Sequence, residues 1–96
     1  MTASWKIDYG RVHKKILKMS SNAALIKQYR IMVSSIADMD DDGDPTNLGS
    51  EKTGKYVGCY GRHLTKSDSL IYRVDYERKI VQFVAIGDHK ELYGRG

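Results

Sequence analysis

Glu51, the adjacent pair Arg62-His63, Arg73, His89 and Tyr93 are the side chains best suited to chemistry, and all fall in the second half of the chain or the loop leading into it. Together they suit cleavage of an RNA strand without a metal. Such cleavage needs a base for the 2′-hydroxyl proton, an acid for the departing 5′-oxygen, and cations to offset the charge on the phosphate. Histidine, glutamate and tyrosine can transfer protons, and arginine can hold phosphate. Arg62 and His63 are neighbours in an extended segment, so they must point to opposite faces. Arg73 stands among apolar residues, where a charge needs a partner or a function, and Asp75 or Glu77 could supply the partner. His89 follows the last apolar run, where a loop can hold it at a sheet rim. A lone histidine is more often a surface or packing residue, and Tyr93 could be a packing aromatic. Composition and spacing by themselves therefore imply an RNA binder and no more.

Alternating and helical periods define the elements that must position these groups. Ser4 to Tyr9 alternates around Trp5 and Ile7, a short strand. Val12, Ile16 and Met19 share a helical face, with Leu17 beside them and Lys14, Lys15 and Lys18 mostly opposite. Ser20-Ser21-Asn22 is a break rich in N-cap residues. Leu25, Tyr29, Met32, Ile36 and Met39 then recur at spacings of 4, 3, 4 and 3, which predicts a longer helix ending near Asp38. A polar loop runs from Asp40 to Lys55, broken by Gly43 and Pro45. Three strands follow, over Tyr56–Leu64, Leu70–Tyr76 and Ile80–Ile86, with links at Thr65–Ser69 and Glu77–Lys79 of hairpin length. Leu70, Tyr72, Val74 and Tyr76 share one face of the second of these. Ile80 to Ile86 is apolar except for Gln82, as in a central strand covered in part on both faces. Gly87 should end the sheet, and Lys90 to Arg95 could form a helical turn. The expected architecture is α+β in the order β-α-α-β-β-β: a short N-terminal strand and a two-helix hairpin packed on a small antiparallel sheet.

With 96 residues, one domain spanning 1–96 is the expectation. Hydrophobic content of 41% against 29% charged excludes a wholly disordered chain. Uncharged stretches such as Ile31 to Ala37 and Ile80 to Gly87 are far short of the roughly 18–20 apolar residues that span a bilayer. Met1 to Trp5 has no basic stretch and no apolar run follows, so a cytoplasmic protein without membrane attachment is expected. The single cysteine, Cys59, rules out an internal disulfide and a cysteine-based zinc site, and reads as a small buried residue. Net charge is +4, and its distribution is uneven. Residues 1–30 hold seven Lys/Arg and one acid, residues 31–51 six acids and no Lys/Arg, and residues 52–96 nine Lys/Arg and five acids. Basic blocks flanking an acidic one imply a polyanionic partner such as nucleic acid, or simply solubility.

The acidic stretch Asp38 to Asp44 opens like a D-x-D-x-D-G calcium loop. Its eighth position is Pro45 and its twelfth Gly49, where a bidentate glutamate belongs, and no exiting helix follows. A solvated loop is the better reading, and no metal or cofactor is expected.

The segment Gly58-Cys-Tyr-Gly-Arg-His-Leu-Thr-Lys-Ser-Asp-Ser-Leu-Ile-Tyr-Arg-Val-Asp75, followed by an apolar strand and Ile86-Gly-Asp-His-Lys-Glu-Leu-Tyr-Gly94, resembles the RelE/ParE superfamily of bacterial toxin–antitoxin systems, closest to its YoeB and YafQ branches. The resemblance implies a toxin that cleaves mRNA in the ribosomal A site and is neutralised by a co-encoded antitoxin, with the 70S ribosome, mRNA and antitoxin as partners and oligomers formed with the antitoxin. It implies a general acid at His89 and an aromatic partner at Tyr93. It matches His63 to the strand histidine of YafQ, Arg62 to the first arginine of the YoeB pair, and Glu51 to the YoeB glutamate taken as general base. The base is thus Glu51 or His63, and Arg62 and Arg73 are the expected phosphate holders. Two positions depart from the pattern: Ser69 stands where YoeB has a phosphate-binding arginine, and Ala85 where YafQ has one. Arg62, His63, Arg73, Lys66 or Lys90 would have to supply that charge. The other reading within this superfamily is a non-catalytic, ParE-like inhibitor of DNA gyrase, which the Glu51, His63 and His89 set disfavours.

Overall fold

The computed structural model describes residues 4–94. Its elements are β1 (Lys6–Asp8), α1 (Val12–Lys18), α2 (Ala23–Ala37), β2 (Ser50–Glu51), β3 (Tyr60–His63), β4 (Asp68–Asp75), β5 (Ile80–Asp88) and α3 (His89–Tyr93). The α+β architecture is the expected one. The sheet runs β1-β5-β4-β3-β2. Strands β3 to β5 are antiparallel, as expected; β2 pairs antiparallel with β3, and β1 adds to the edge of β5 in parallel, which makes the sheet mixed. Parallel pairing needs a long connection to return the chain in the same direction, and the helical hairpin and the strands after it provide one.

Helix α2 starts where Asn22 accepts the Leu25 N–H through its side chain at 3.1 Å, the usual task of an N-cap residue. Its apolar stripe, Leu25, Tyr29, Met32 and Ile36, is buried with Val12 and Ile16 of α1 against Leu70, Tyr72, Val81, Phe83 and Ile86 of the sheet. Several local expectations need correction. The strand expected over Tyr56–Leu64 is confined to Tyr60–His63, because Gly54–Tyr56 forms a 3₁₀ turn and Gly58 takes a positive φ of 87°, a conformation that glycine adopts without steric cost. The polar loop is not wholly irregular: Pro45–Leu48 makes a 3₁₀ turn and Ser50–Glu51 pairs with β3. The sheet does not stop at Gly87, since Gly87 and Asp88 still pair with Ser69 and Asp68. Tyr76 is exposed rather than in line with Tyr72, packing edge-on to Trp5 at 6.1 Å.

Strand β5 explains its own nearly continuous apolar run. The register passes from Ile71–Ala85 to Tyr72–Phe83, so Val84 is an unpaired bulge residue. Phe83 faces the helices, while Ala85 lies under a second, small cluster of Cys59, Ile71 and Leu92 on the other face. Cys59 is buried there, as expected of a small apolar residue. Tyr72 ties the long loop to the sheet, its buried hydroxyl donating to the Pro45 carbonyl at 2.7 Å, and burial pushes its phenol far above the usual range. Tyr72→Phe leaves that carbonyl without this partner and is expected to cost about 1–3 kcal/mol, read as a lower urea midpoint at unchanged slope.

Candidate active site

The β3–β4 hairpin places the first group. Thr65 Oγ1 accepts the Ser67 and Asp68 N–H groups and donates to the Asp68 carboxylate, while the Leu64 N–H donates to the Asp68 carbonyl. This turn fixes a register in which His63 lies directly opposite Ser69. Their side chains meet on the open face, Ser69 Oγ 3.0 Å from His63 Nδ1. Arg62 points to the opposite face, as adjacent strand residues must. It donates from Nη1 to the Leu48 carbonyl at 3.2 Å, and its buried Nε has no partner among the described residues.

Helix α3 places the next two. Asp88 caps it in a reciprocal box: its carboxylate accepts the Glu91 N–H at 2.8 Å, and Glu91 accepts the Asp88 N–H at 3.1 Å. Two otherwise orphaned donors are satisfied in this way. His89 opens the helix and Tyr93 follows one turn later, so the two side chains share a face. Their ring centroids are 4.8 Å apart. Leu92 anchors the helix on Ile71 and Cys59, and its carbonyl accepts from Tyr56 Oη at 2.9 Å and Lys55 Nζ at 3.1 Å. Lys15 of α1 reaches Glu91 at 2.6 Å across Gly87, where a Cβ would lie 2.9 Å from both partners.

Glu91 therefore titrates below the usual carboxylate range, held down by the Lys15 hydrogen bond and then by the Asp88 N–H. A lowered folded-state value means that the tie is intact above the ordinary carboxylate value and is lost as pH falls through the lowered one. Amide protection over residues 89–93, measured against the intrinsic exchange rate at each pH, is expected to fall on acidification below the ordinary value of 4.5. Glu91→Gln should produce the same local fraying at neutral pH.

The segment after β2 closes the site. The Lys52 N–H donates to the Cys59 carbonyl at 3.0 Å, and its stem lies over Gly61, where a Cβ would approach Lys52 Cδ to 2.9 Å. Its ammonium then sits 5.5 Å from the Tyr93 ring centroid, close enough for a cation–π attraction. A cleft of about 240 Å³ is lined by Lys52, His63, Lys66, Ser69, His89 and Tyr93. An adjoining one of about 290 Å³ adds Glu51 and Thr53 and shares Lys52, His89 and Tyr93.

Of the residues singled out from sequence, His63, His89 and Tyr93 line one cleft, and Glu51 lines its neighbour beside His89 and Tyr93. Arg62 is turned away. Arg73 is exposed at a separate cleft with Asp8, Asp75, Arg78, Ile80 and Gln82. Lys66 lines the cleft as one of the expected substitute cations, whereas Lys90 lines neither. Lys52 was not foreseen. The available signal was its place beside Glu51, which only the fold turns into a position under Tyr93.

The acidic loop uses its carboxylates internally. Asp44 accepts from the Thr46 N–H and hydroxyl and from the Tyr76 hydroxyl, which lowers its pKa, and Asp40 accepts the Asp42 N–H. Among the described residues no three His, Cys, Asp or Glu side chains gather as a metal site. Nor is any helix among them long and apolar enough to cross a membrane. A cleft of about 620 Å³ along the outer face of α2 contains no histidine.

The sequence matches no protein-family model, and no curated protein matches it. The likeness to known proteins lies in shape. YafQ from E. coli strain BL21(DE3) superposes with a TM-score of 0.71 over 94% of this chain and 99% of its own, at 15% identity. The toxin–antitoxin complex RelBE2 from Mycobacterium tuberculosis superposes at 0.50 over 93% and 94%, at 16% identity. The α+β fold is the one these structures share.

Proposed function

We propose that this chain is the toxin of a toxin–antitoxin pair and cleaves ribosome-bound mRNA by acid–base attack of the 2′-hydroxyl. The observation that carries the reading is the meeting of two histidines from distant parts of the chain, His63 and His89, in one cleft with two lysines and a tyrosine. Its fold, shared with a complex named as toxin and antitoxin, supports the toxin role and a protein antitoxin as partner.

In this reading His63 is the base and His89 the acid. His63 Nε2 takes the 2′-hydroxyl proton, O2′ attacks phosphorus, and the bond to the 5′-oxygen breaks. His89 protonates that oxygen, leaving a 2′,3′-cyclic phosphate and a 5′-hydroxyl. Lys52 and Lys66 offset charge on the phosphate, in the role expected of Arg62 and Arg73. Tyr93, packed between His89 and Tyr56, offers a ring face to a base. The two proton-transfer groups and the lysines supply the needs of the reaction, so no metal has a step in it. Glu51 is the competing base, lining only the adjoining cleft.

Primer extension on a reporter mRNA in a purified translation system tests the reading, with and without ribosomes and with wild type against His89→Ala. Cuts in codon register that need both ribosomes and His89 are expected. Folded wild-type protein that makes no cuts would sink it, and a gyrase supercoiling assay would then decide for the non-catalytic alternative.

A further inference from the structure

We propose that Ser69 is a positioning residue: it holds the His63 imidazole by Nδ1 and sets the tautomer that leaves Nε2 free to accept a proton. The proposal rests on the base role of His63 proposed above, and it assigns to Ser69 a task that its place in the sequence did not suggest, since there it figured only as a missing cation.

The geometry is built in three steps. The Thr65–Asp68 turn is closed by side-chain and backbone hydrogen bonds, which prevents the hairpin from slipping. The fixed register sets His63 and Ser69 directly opposite, at the separation where cross-strand side chains meet. The Oγ–Nδ1 distance of 3.0 Å joins an exposed ring to a half-buried hydroxyl and is a hydrogen bond by length. His63 has no other side-chain hydrogen bond among the described residues, so this contact alone ties its ring.

A hydroxyl suits the task because its oxygen can accept from Nδ1–H whether the ring is neutral or charged. With neutral His63 as base, Nδ1–H donates to Ser69 Oγ and the Nε2 lone pair faces the cleft. After Nε2 takes the substrate proton, Nδ1–H still donates to the same oxygen, so the ring keeps its orientation through the transfer. An arginine in this place could not accept from Nδ1–H and would repel the imidazolium. Serine at position 69 and histidine at position 63 are therefore matched choices: the cation is given up where the base must become charged, and the lysines that line the cleft carry the phosphate instead.

Long-range nitrogen–proton correlation NMR on the histidine-labelled full chain reads which His63 nitrogen carries the proton while the ring is neutral. The wild type is expected to hold mainly the Nδ1–H form. Ser69→Ala should give a mixture, and Ser69→Thr, which restores a hydroxyl on a β-favouring residue, should return the wild-type pattern. In the ribosome-dependent assay Ser69→Ala should lower kcat by about 10–100-fold with KM little changed, and Ser69→Thr should recover most of it. The same tautomer ratio in wild type and Ser69→Ala overturns the proposal, as does an unchanged kcat in an active enzyme. If the tautomer follows the hydroxyl but wild type cleaves nothing, the hydrogen bond is upheld and the proposed cleavage activity is what fails.

Discussion

His89→Ala is expected to lower the single-turnover rate of cleavage of ribosome-bound mRNA by about 10²–10⁴-fold, the range for removing one positioned proton donor. KM should change little, because the histidine's proton matters most while the 5′-oxygen gathers charge in the transition state. The side chain is exposed, at the first position of α3, and its ring stacks only on Tyr93 among the described aromatic rings. Helix α3 is held by other residues: the Asp88–Glu91 box, Leu92 in its cluster, and the two donors on the Leu92 carbonyl. The variant should therefore fold as the wild type does, and its loss of activity can be read as chemistry. His63→Ala should cost a similar factor. The double variant should lose much less than the product of the two, since acid and base serve one concerted transfer. A His89→Ala protein that cuts at the wild-type rate would remove the acid from this cleft and leave Glu51, Lys52 and Tyr93 without an evident reaction.

The elements with strong periodicity were legible in the sequence. The α2 stripe at spacings of 4 and 3 and the β-prone run from Leu70 read correctly, because each signal is local and burial has only one way to satisfy it; the link expected at Thr65–Ser69 is shorter, since Asp68 and Ser69 already pair within β4. The parallel edge strand β1 was readable as a strand, but three residues carry no mark of their partner. Nor was the 3₁₀ turn that takes Tyr56 out of β3 legible. There tertiary demand wins: Tyr56 is needed to hold the Leu92 carbonyl, and a strand would carry its hydroxyl away from α3.

The site divides along the same line. The opposition of Arg62 and His63 followed from strand alternation, which allows only one of them in the cleft; the fold makes that one His63. The pairing of His89 with Tyr93 was implied by the family resemblance alone; the residues themselves suggested a loop at His89, whereas His89 opens α3. Arg73 was not placed correctly, since its strand position fixes a face and not a distance along the sheet. It shares a cleft with Asp75 and Arg78 rather than with either site histidine. Lys52 and Ser69 depend on contacts across strands, with Gly61 leaving room for the lysine stem and the hairpin register bringing the serine to His63. No local pattern encodes those.

Phe83→Ala is expected to destabilise the fold by about 3–5 kcal/mol, the cost of removing a buried aromatic and leaving its cavity. Phe83 is 2% exposed, faces α2 from β5, and packs edge-on with Tyr9 at 5.6 Å and Tyr29 at 5.8 Å. Tyr9 precedes α1 and Tyr29 lies within α2, so the ring is where the helical hairpin and the sheet meet. The hydroxyl of Tyr29 is buried without a partner among the described residues, and burial pushes its phenol up to about 12. A domain of this size has only about 5–15 kcal/mol in total, so the variant should unfold at much lower urea with little change in slope. Phe83→Leu, which keeps most of the volume, should recover most of the difference. The neighbouring Val84→Ala should be nearly neutral, because that bulge residue is 37% exposed. A loss below about 1 kcal/mol for Phe83→Ala would mean that the core closes around the gap. The consequence reaches the site, since β5 carries Phe83 and ends at Asp88, the cap of the helix that presents His89. Partial loss of activity in Phe83→Ala should then track the folded fraction, whereas His89→Ala loses activity while fully folded.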